Sequence, residues 1–391
     1  MKRISIVFIS LLFSAATFAE DGYRFTSVKE NPITSIKNQA SSGTCWCFSS
    51  IAFLESELLR AGKGEYDLSE MYIVRRNYAD KADKYARMNG HLNFAQGGSF
   101  ADAIGMLDEY GLLPETEMPG LNYGETRHNH TELEAVLSAY VKALVGNKKL
   151  TTAWRDGFNG ILDAYLGHAP EQFGYAGKSY TPQQFASALG LSSGNYISLT
   201  SFTHHPFYGK FALEIPDNWR WAESTNLPLD ELMQVIDHAL ENGYTIAWAA
   251  DVSEAGFSRT GLAAIPDVQD TLNIGADQAH WLGLKQSAKD EALRKRVEAA
   301  PVSEPQITQE MRQKAFDNYE TTDDHGMQIF GIAKDQNGKK YYMVKNSWGE
   351  TGNYKGMWYV TEAFVQYKTI GVVVNKNAVP SAIGRKIGLT K

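Results

Sequence analysis

Apolar side chains at Phe48, Ile51, Leu54, Leu58 and Leu59 recur at helical spacing, and Gly62 and Gly64 stand where such a helix would stop. Thr44 fits the N-cap, which places Cys45 in the first turn. The same reading predicts helices over 100–110, ending at Gly111, and over 131–145, ending at Gly146. The stretch from about 125 to 190, rich in Gly, Asn and His and without strand alternation, reads as the helices and loops of an insertion. A helix over 229–242 gathers Leu229, Leu232, Val235, Ile236, Ala239 and Leu240 on one face, and Thr245–Ala249 follows as a buried strand. A highly charged helix spans 285–300, a break runs from Pro301 to Pro305, and a polar helix spans 307–320. The pattern then changes to strands at 327–333, 341–345, 356–360 and 369–375, the first two joined by a Gln336-Asn337-Gly338 turn. The helical half comes first and the sheet half last, an α+β arrangement.

Composition narrows the function classes. The 391 residues are 43% hydrophobic and 21% charged, enough for a sizeable core and too apolar for a disordered chain. A net charge of −7 provides no global basic field, so neither nucleic acid nor an anionic membrane is an expected partner. Met1-Lys2-Arg3, the apolar run Ile4–Ala19 and the small residues Thr17 and Ala19 form an export signal, expected to be cleaved after residue 19. That run is shorter than the roughly 20 residues a membrane-spanning helix needs, so no stable membrane insertion is expected after cleavage. The mature protein is expected to be periplasmic or secreted. In an oxidising compartment two cysteines usually pair, yet Cys45 and Cys47 at i and i+2 of one helix point apart, leaving at least one free thiol.

A thiol at a helix N-terminus faces unpaired N–H groups and the positive end of the macrodipole, which favour thiolate. Gln39, six residues earlier, is placed to bring an amide donor to an oxyanion beside the Cys45 N–H. Cys47 points to another face and reads as a core residue. A nucleophilic thiol needs a base and a group that orients it. Of nine histidines, His128 and His130 lie in a polar loop, His238 lies off its helix's apolar stripe, and His204-His205 precede Pro206; these read as solvent-facing or structural. His128-Asn129-His130 lacks accompanying ligands at zinc spacing. His325 and Asn346 flank the two strands of the predicted hairpin, which brings them side by side. The Asn346 amide oxygen then fixes the imidazole tautomer, leaving the other ring nitrogen for the thiol, with Trp348 covering that bond from water.

The blocks Gln39…Ser42-Gly43-Thr44-Cys45-Trp46-Cys47-Phe48-Ser49, Leu68-Ser69-Glu70, Gln96-Gly97-Gly98, Asp324-His325-Gly326-Met327 and Lys345-Asn346-Ser347-Trp348-Gly349 together resemble the papain family of cysteine peptidases. The segments Thr200–Tyr208, Ile215–Trp219 and Leu229–Leu232 look like its bleomycin hydrolase and aminopeptidase C branch. The resemblance implies a papain-like two-domain fold with a helical left domain, an antiparallel right domain and large helical insertions. It implies catalysis by Cys45, His325, Asn346 and Gln39, with Gly97, Gly98, Gly326 and Trp348 in contact with a bound peptide. No metal or organic cofactor is implied. After a signal peptide at 1–19, the left part is expected at about 38–125, insertions at about 126–190 and 285–320, the right part at about 195–280 and 320–378, and a tail at 379–391.

The chain departs from secreted papain-like enzymes in three ways. Ser42 stands where they place a disulfide cysteine, and Cys47 stands where alanine is common. Too few residues separate Ala19 from Cys45 for an inhibitory propeptide. The long interval from Cys45 to His325 leaves room for the insertions that, in the bleomycin hydrolases, build a hexamer. In that branch the C-terminal tail enters the cleft and makes the enzyme an aminopeptidase. Here the Lys391 carboxylate either pairs with a substrate's α-amine or belongs to a frayed, solvated end. An aminopeptidase acting on short peptides is the leading expectation. An exported endopeptidase, an acyl transferase or an inactive papain-like binding protein are the alternatives.

Overall fold

The computed structural model describes residues 22–267 and 285–389. The export signal and Lys391 lie outside the described residues. The first helix, Cys45–Arg60, is buried along almost its whole length, from Trp46 to Leu58. A helix hidden on every side is sandwiched rather than amphipathic. One neighbour is Glu70–Arg87, a helix that the apolar spacing passes over because Arg75, Asn77 and Lys81 interrupt its buried face. Ser69 caps it by accepting from the Tyr72 N–H. Thr131–Val145 and Ala153–Leu166 pack on Glu70–Arg87 and join one hydrophobic cluster with the first helix through Leu133, Leu137, Val141, Phe158 and Leu162.

On the other side lies an 11-stranded sheet. Its order is Lys210–Ala212, Glu223–Asn226, Tyr196–Thr200, Thr369–Asn375, Ile246–Ala250, His325–Lys334, Lys340–Lys345, Met357–Thr361, Leu262–Ala263 and Phe257–Ser258, with Thr26–Glu30 also paired to His325–Lys334. Pairing is antiparallel except between Tyr196–Thr200 and Glu223–Asn226 and between Met357–Thr361 and Leu262–Ala263. Helix Leu229–Glu241 covers this sheet, and its apolar face joins Trp248, Ile329, Val344 and Trp358 in a second core. The fold is α+β, as the chain order of helices and strands implies, with a helical layer against a largely antiparallel sheet, the papain-like arrangement that the resemblance implies.

Three expectations need correction. Residues 100–110 form two 3₁₀ turns and a short helix, Leu107–Tyr110: Asp102 accepts from the Ser99 N–H and closes the first turn, and the backbone then leaves helical geometry at Ala103, at φ −114 and ψ −68. The 125–190 stretch carries a hairpin, Phe173–Tyr175 with Lys178–Tyr180, beside its helices. The hairpin is too short for alternation to show, and Gly177 at φ 78 supplies its turn. The third concerns Thr44. It occupies the N-cap of the first helix without capping it, since its hydroxyl bonds to the Ser42 hydroxyl at 2.6 Å. The Cys47 N–H is taken by the Thr44 carbonyl at 2.9 Å, and the Trp46 N–H faces the Cys45 sulfur.

Candidate active site

His325 opens the central strand His325–Lys334, while Asn346 follows the end of its neighbour Lys340–Lys345. In the observed register Gln328 pairs with Lys345, so Asn346 sits two positions off the point opposite His325 and reaches it diagonally. The contact closes at 2.7 Å between His325 Nε2 and Asn346 Oδ1. The same oxygen accepts the Ser347 N–H at 2.7 Å, which fixes the orientation of the amide. An oxygen held between these groups accepts from both, so Nε2 carries the ring proton and Nδ1 is the basic nitrogen. Trp348 lies over the imidazole with ring centroids 4.7 Å apart.

Cys45 approaches because Gly326 lets helix and strand touch. A Cβ at Gly326 would lie 2.6 Å from Ser49 Oγ and 3.2 Å from the Cys45 carbonyl oxygen. Cys45, His325 and Gly326 line one cavity of about 250 Å³, together with Gly98 and Phe100 of the helical layer and Ala249 and Ile370 of the sheet. Burial pushes the Cys45 thiol up to about 12, and the carboxylates of Asp323 and Asp217 add to this; the N–H groups of Gly326 and Trp46 oppose it. Burial likewise lowers His325 to about 4, against the pull of Asn346 and Asp324. Separately, each charge is disfavoured. Proton transfer from thiol to imidazole creates both together, with their mutual attraction and the N–H donors to stabilise them.

Gln39 is buried beside this pair without lining the cavity. Its Nε2 donates to the Ser42 carbonyl at 2.7 Å, its Oε1 accepts from Ser347 Oγ at 2.6 Å, and its backbone N–H donates to the Ser347 carbonyl. The second Nε2 proton has no partner in this set. Gly97 and Gly98 follow Gln96, whose Oε1 accepts the Gly43 N–H at 2.6 Å and whose carbonyl accepts from Trp46 Nε1 at 3.1 Å. Both glycines are sterically required: a Cβ at Gly97 would lie 2.0 Å from Asp217 Oδ2, and one at Gly98 would lie 2.9 Å from the Trp46 indole. Gly98 lines the cavity, whereas Gly97 lies under Asp217.

Cys47 is fully buried and donates to the Glu70 carbonyl at 3.3 Å, and both cysteines are free. His130 is buried, and burial lowers it to about 4; His238 bonds to the Ala378 carbonyl. Among the described residues, one group brings potential metal-ligating atoms within 4.8 Å of one another, His204, His205 and Glu214. It lies outside the cavity lining, and Glu214 bonds to both rings. Sequence reasoning missed the acidic wall of the cavity, Asp217, Asp323 and Asp324. A lone carboxylate beside a motif carries no spacing signal.

The tail is described to residue 389, and its helix, Ser381–Lys386, lies on the sheet side. Ile383 joins the second core, Lys386 pairs with Glu231, and Leu389 lines a separate surface cavity with Arg60 and Asn377. No helix among the described residues is long and apolar enough to cross a membrane.

Two family profiles match the chain: "Papain family cysteine protease" over residues 23–148 and "Peptidase C1-like family" over 304–388. Aminopeptidase C of Lactobacillus delbrueckii subsp. lactis is 23% identical, covering 89% of this chain and 81% of its own length. Mitochondrial cysteine proteinase 1 of Saccharomyces cerevisiae (strain JAY291) is 20% identical, covering 94% and 80%. The crystal structure of pepw from Lactobacillus rhamnosis HN001 superposes with a TM-score of 0.67 at 18% identity, over 93% of this chain and 84% of that one.

Proposed function

We propose that this chain, matched over two stretches by families of papain-type cysteine peptidases, is an aminopeptidase hydrolysing short peptides through Cys45, His325, Asn346 and Gln39. The observation that carries the reading is the Asn346-held His325 sharing one cavity with Cys45 at the start of a buried helix.

The Cys45 S–H gives its proton to His325 Nδ1 as the sulfur bonds to the scissile carbonyl carbon. The oxyanion is met by the Cys45 N–H and the second Nε2 proton of Gln39, whose position Ser42 and Ser347 fix. The C–N bond breaks and the leaving amine takes the proton from His325. A water then gives a proton to Nδ1 and adds to the thioester; collapse releases the acid and returns the proton to sulfur. Gly98 and Gly326, which line the cavity, and Gly97 and Trp348 beside them are the proposed peptide contacts. No step calls for a metal or an organic cofactor.

Paired fluorogenic substrates with free and acetylated amino termini test this reading. Faster turnover of the free-amino members supports it, and turnover confined to the blocked members assigns an endopeptidase instead. The residue 1–19 segment supports export, tested by N-terminal sequencing of the protein from cell fractions. A hexamer, implied by the resemblance alone, is tested by light scattering.

A further inference from the structure

The connection between strands Lys210–Ala212 and Glu223–Asn226 crosses the cleft. Leu213, Ile215, Asp217 and Asn218 line the catalytic cavity from the sheet side. Immediately beyond them, Trp219 Nε1 donates to the buried Asp102 at 3.1 Å, and Arg220 donates to Asp102 at 2.6 Å and to Asp80 at 2.9 Å. Lys84 sits 3.5 Å above the Trp221 ring. The segment is thus a strap, rooted in the sheet and clamped to the helical layer. It lies against Gly97, one of the proposed peptide contacts, on the wall of the cavity that Cys45 and His325 also line.

The strap brings a carboxylate into the cleft. Asp217 Oδ2 is pressed against the Gly97 backbone, and Oδ1 accepts from Asn93 Nδ2 at 3.2 Å. Asp323, two residues before the base, lines the same cavity and has no hydrogen-bonded or ion-paired partner among the described residues. Lys81, whose charge reaches Asp217, is bonded to the Ala95 and Gly97 carbonyls at 2.9 and 2.5 Å rather than to a carboxylate. Two carboxylates therefore face the space beside the nucleophile without a cation bonded to either, and the fields of both reach the sulfur. Half-buried negative charge of this kind is complementary to a desolvated ammonium.

The geometry points to Asp217, with Asp323 facing the same cavity, as the anchor for the substrate's α-ammonium group, and to the 213–222 strap as the wall that ends the cleft there. This rests on the aminopeptidase reading and gives it a physical cause within the described residues, without the C-terminal carboxylate. The strap favours an α-ammonium over a Lys or Arg side chain farther along a peptide, because a chain long enough to carry one internally would run into it.

The test uses the full chain as wild type, Asp217→Asn and Asp323→Asn, with aminoacyl aminomethylcoumarins, their N-acetyl counterparts and an N-acetyl substrate carrying arginine one residue before the cleaved one. Asp217→Asn is expected to lower kcat/KM on free-amino substrates by roughly 10- to 100-fold, largely through KM, the range for losing a bond to a charged group. Acetylated substrates should be cleaved as before or slightly faster, since removing negative charge near the sulfur favours thiolate. Asp323→Asn should change selectivity in the same direction. Unaltered melting temperature and iodoacetamide reactivity of Cys45 show that fold and nucleophile persist. If both variants keep the wild-type ratio of free-amino to blocked activity, or lose activity only on the arginine substrate, the anchor is elsewhere. A wild-type enzyme that cleaves only blocked substrates would overturn the aminopeptidase reading before any variant is made, and this proposal with it.

Discussion

The Nε2 of His325 and the Oδ1 of Asn346 lie 2.7 Å apart, and the Ser347 N–H on the same oxygen keeps the amide from turning over. Removing the amide leaves the ring free to rotate and to place its proton on either nitrogen. Asn346→Ala is expected to reduce kcat about 10- to 100-fold, within the range that positioned acid–base groups supply. Titration of Cys45 with a thiol reagent should still reach full stoichiometry. An unchanged kcat would mean that packing under Trp348 alone orients His325.

That pairing was legible in the sequence because a hairpin turn and two strands constrain distance. The register differs slightly from a simple count, since a bulge between Ile329 and Gly331 shifts the pairing. The first helix and strand Thr369–Asn375 were likewise readable, because buried apolar residues set their period. Helix Glu70–Arg87 was not: its burial includes Arg75, Asn77 and Lys81, whose partners, such as Asp163 for Arg75, come from distant elements that no local pattern announces. The strap was hidden for the same reason. Ile215–Trp219 marks a branch of the family, but only the fold shows Trp219 and Arg220 meeting Asp102, more than a hundred residues away in the chain.

Cys45 and Cys47 should behave oppositely. Cys45→Ala removes the sulfur that lines the cavity and should abolish hydrolysis. Cys47→Ala removes a buried thiol that bonds to the Glu70 carbonyl, so it should cost about 1 kcal/mol of stability and leave kcat/KM within a few-fold. Active-site titration on soluble, folded protein separates the two. Complete loss of activity in Cys47→Ala would assign the nucleophile wrongly.

The pH dependence should have two limbs. His325 accepts a proton only when neutral, and burial holds it at about 4, so activity on a blocked substrate should fall as pH drops toward 4 rather than around 6.5. Asp323 is raised to about 7 by burial, with Asp217 and Asp324 adding to it, and it carries charge above that value. On free-amino substrates kcat/KM should therefore rise further as pH climbs through about 7. In Asp323→Asn that upper limb should flatten while the acid limb stays. A single shared profile for both substrate classes would remove Asp323 from ammonium binding.

Arg220 and Asp102 couple stability to selectivity. Asp102 is fully buried, and burial alone raises its pKa; Arg220, Trp219 and the Ser99 N–H hold its charge in place. Arg220→Met leaves that charge without its guanidinium and should destabilise the protein by about 3 kcal/mol. Asp102→Asn with Arg220→Met should cost less than the two single changes together, since no lone buried charge remains. Both variants loosen the strap's clamp on the helical layer, so urea denaturation and substrate ratios should move together. Activity on N-acetylated peptides should rise relative to free-amino ones, measured at a temperature where each variant is fully folded. A destabilised Arg220→Met enzyme with the wild-type ratio would mean that the strap's position in the cleft is held by Leu213 and Ile215 from the sheet side, without the Asp102 clamp.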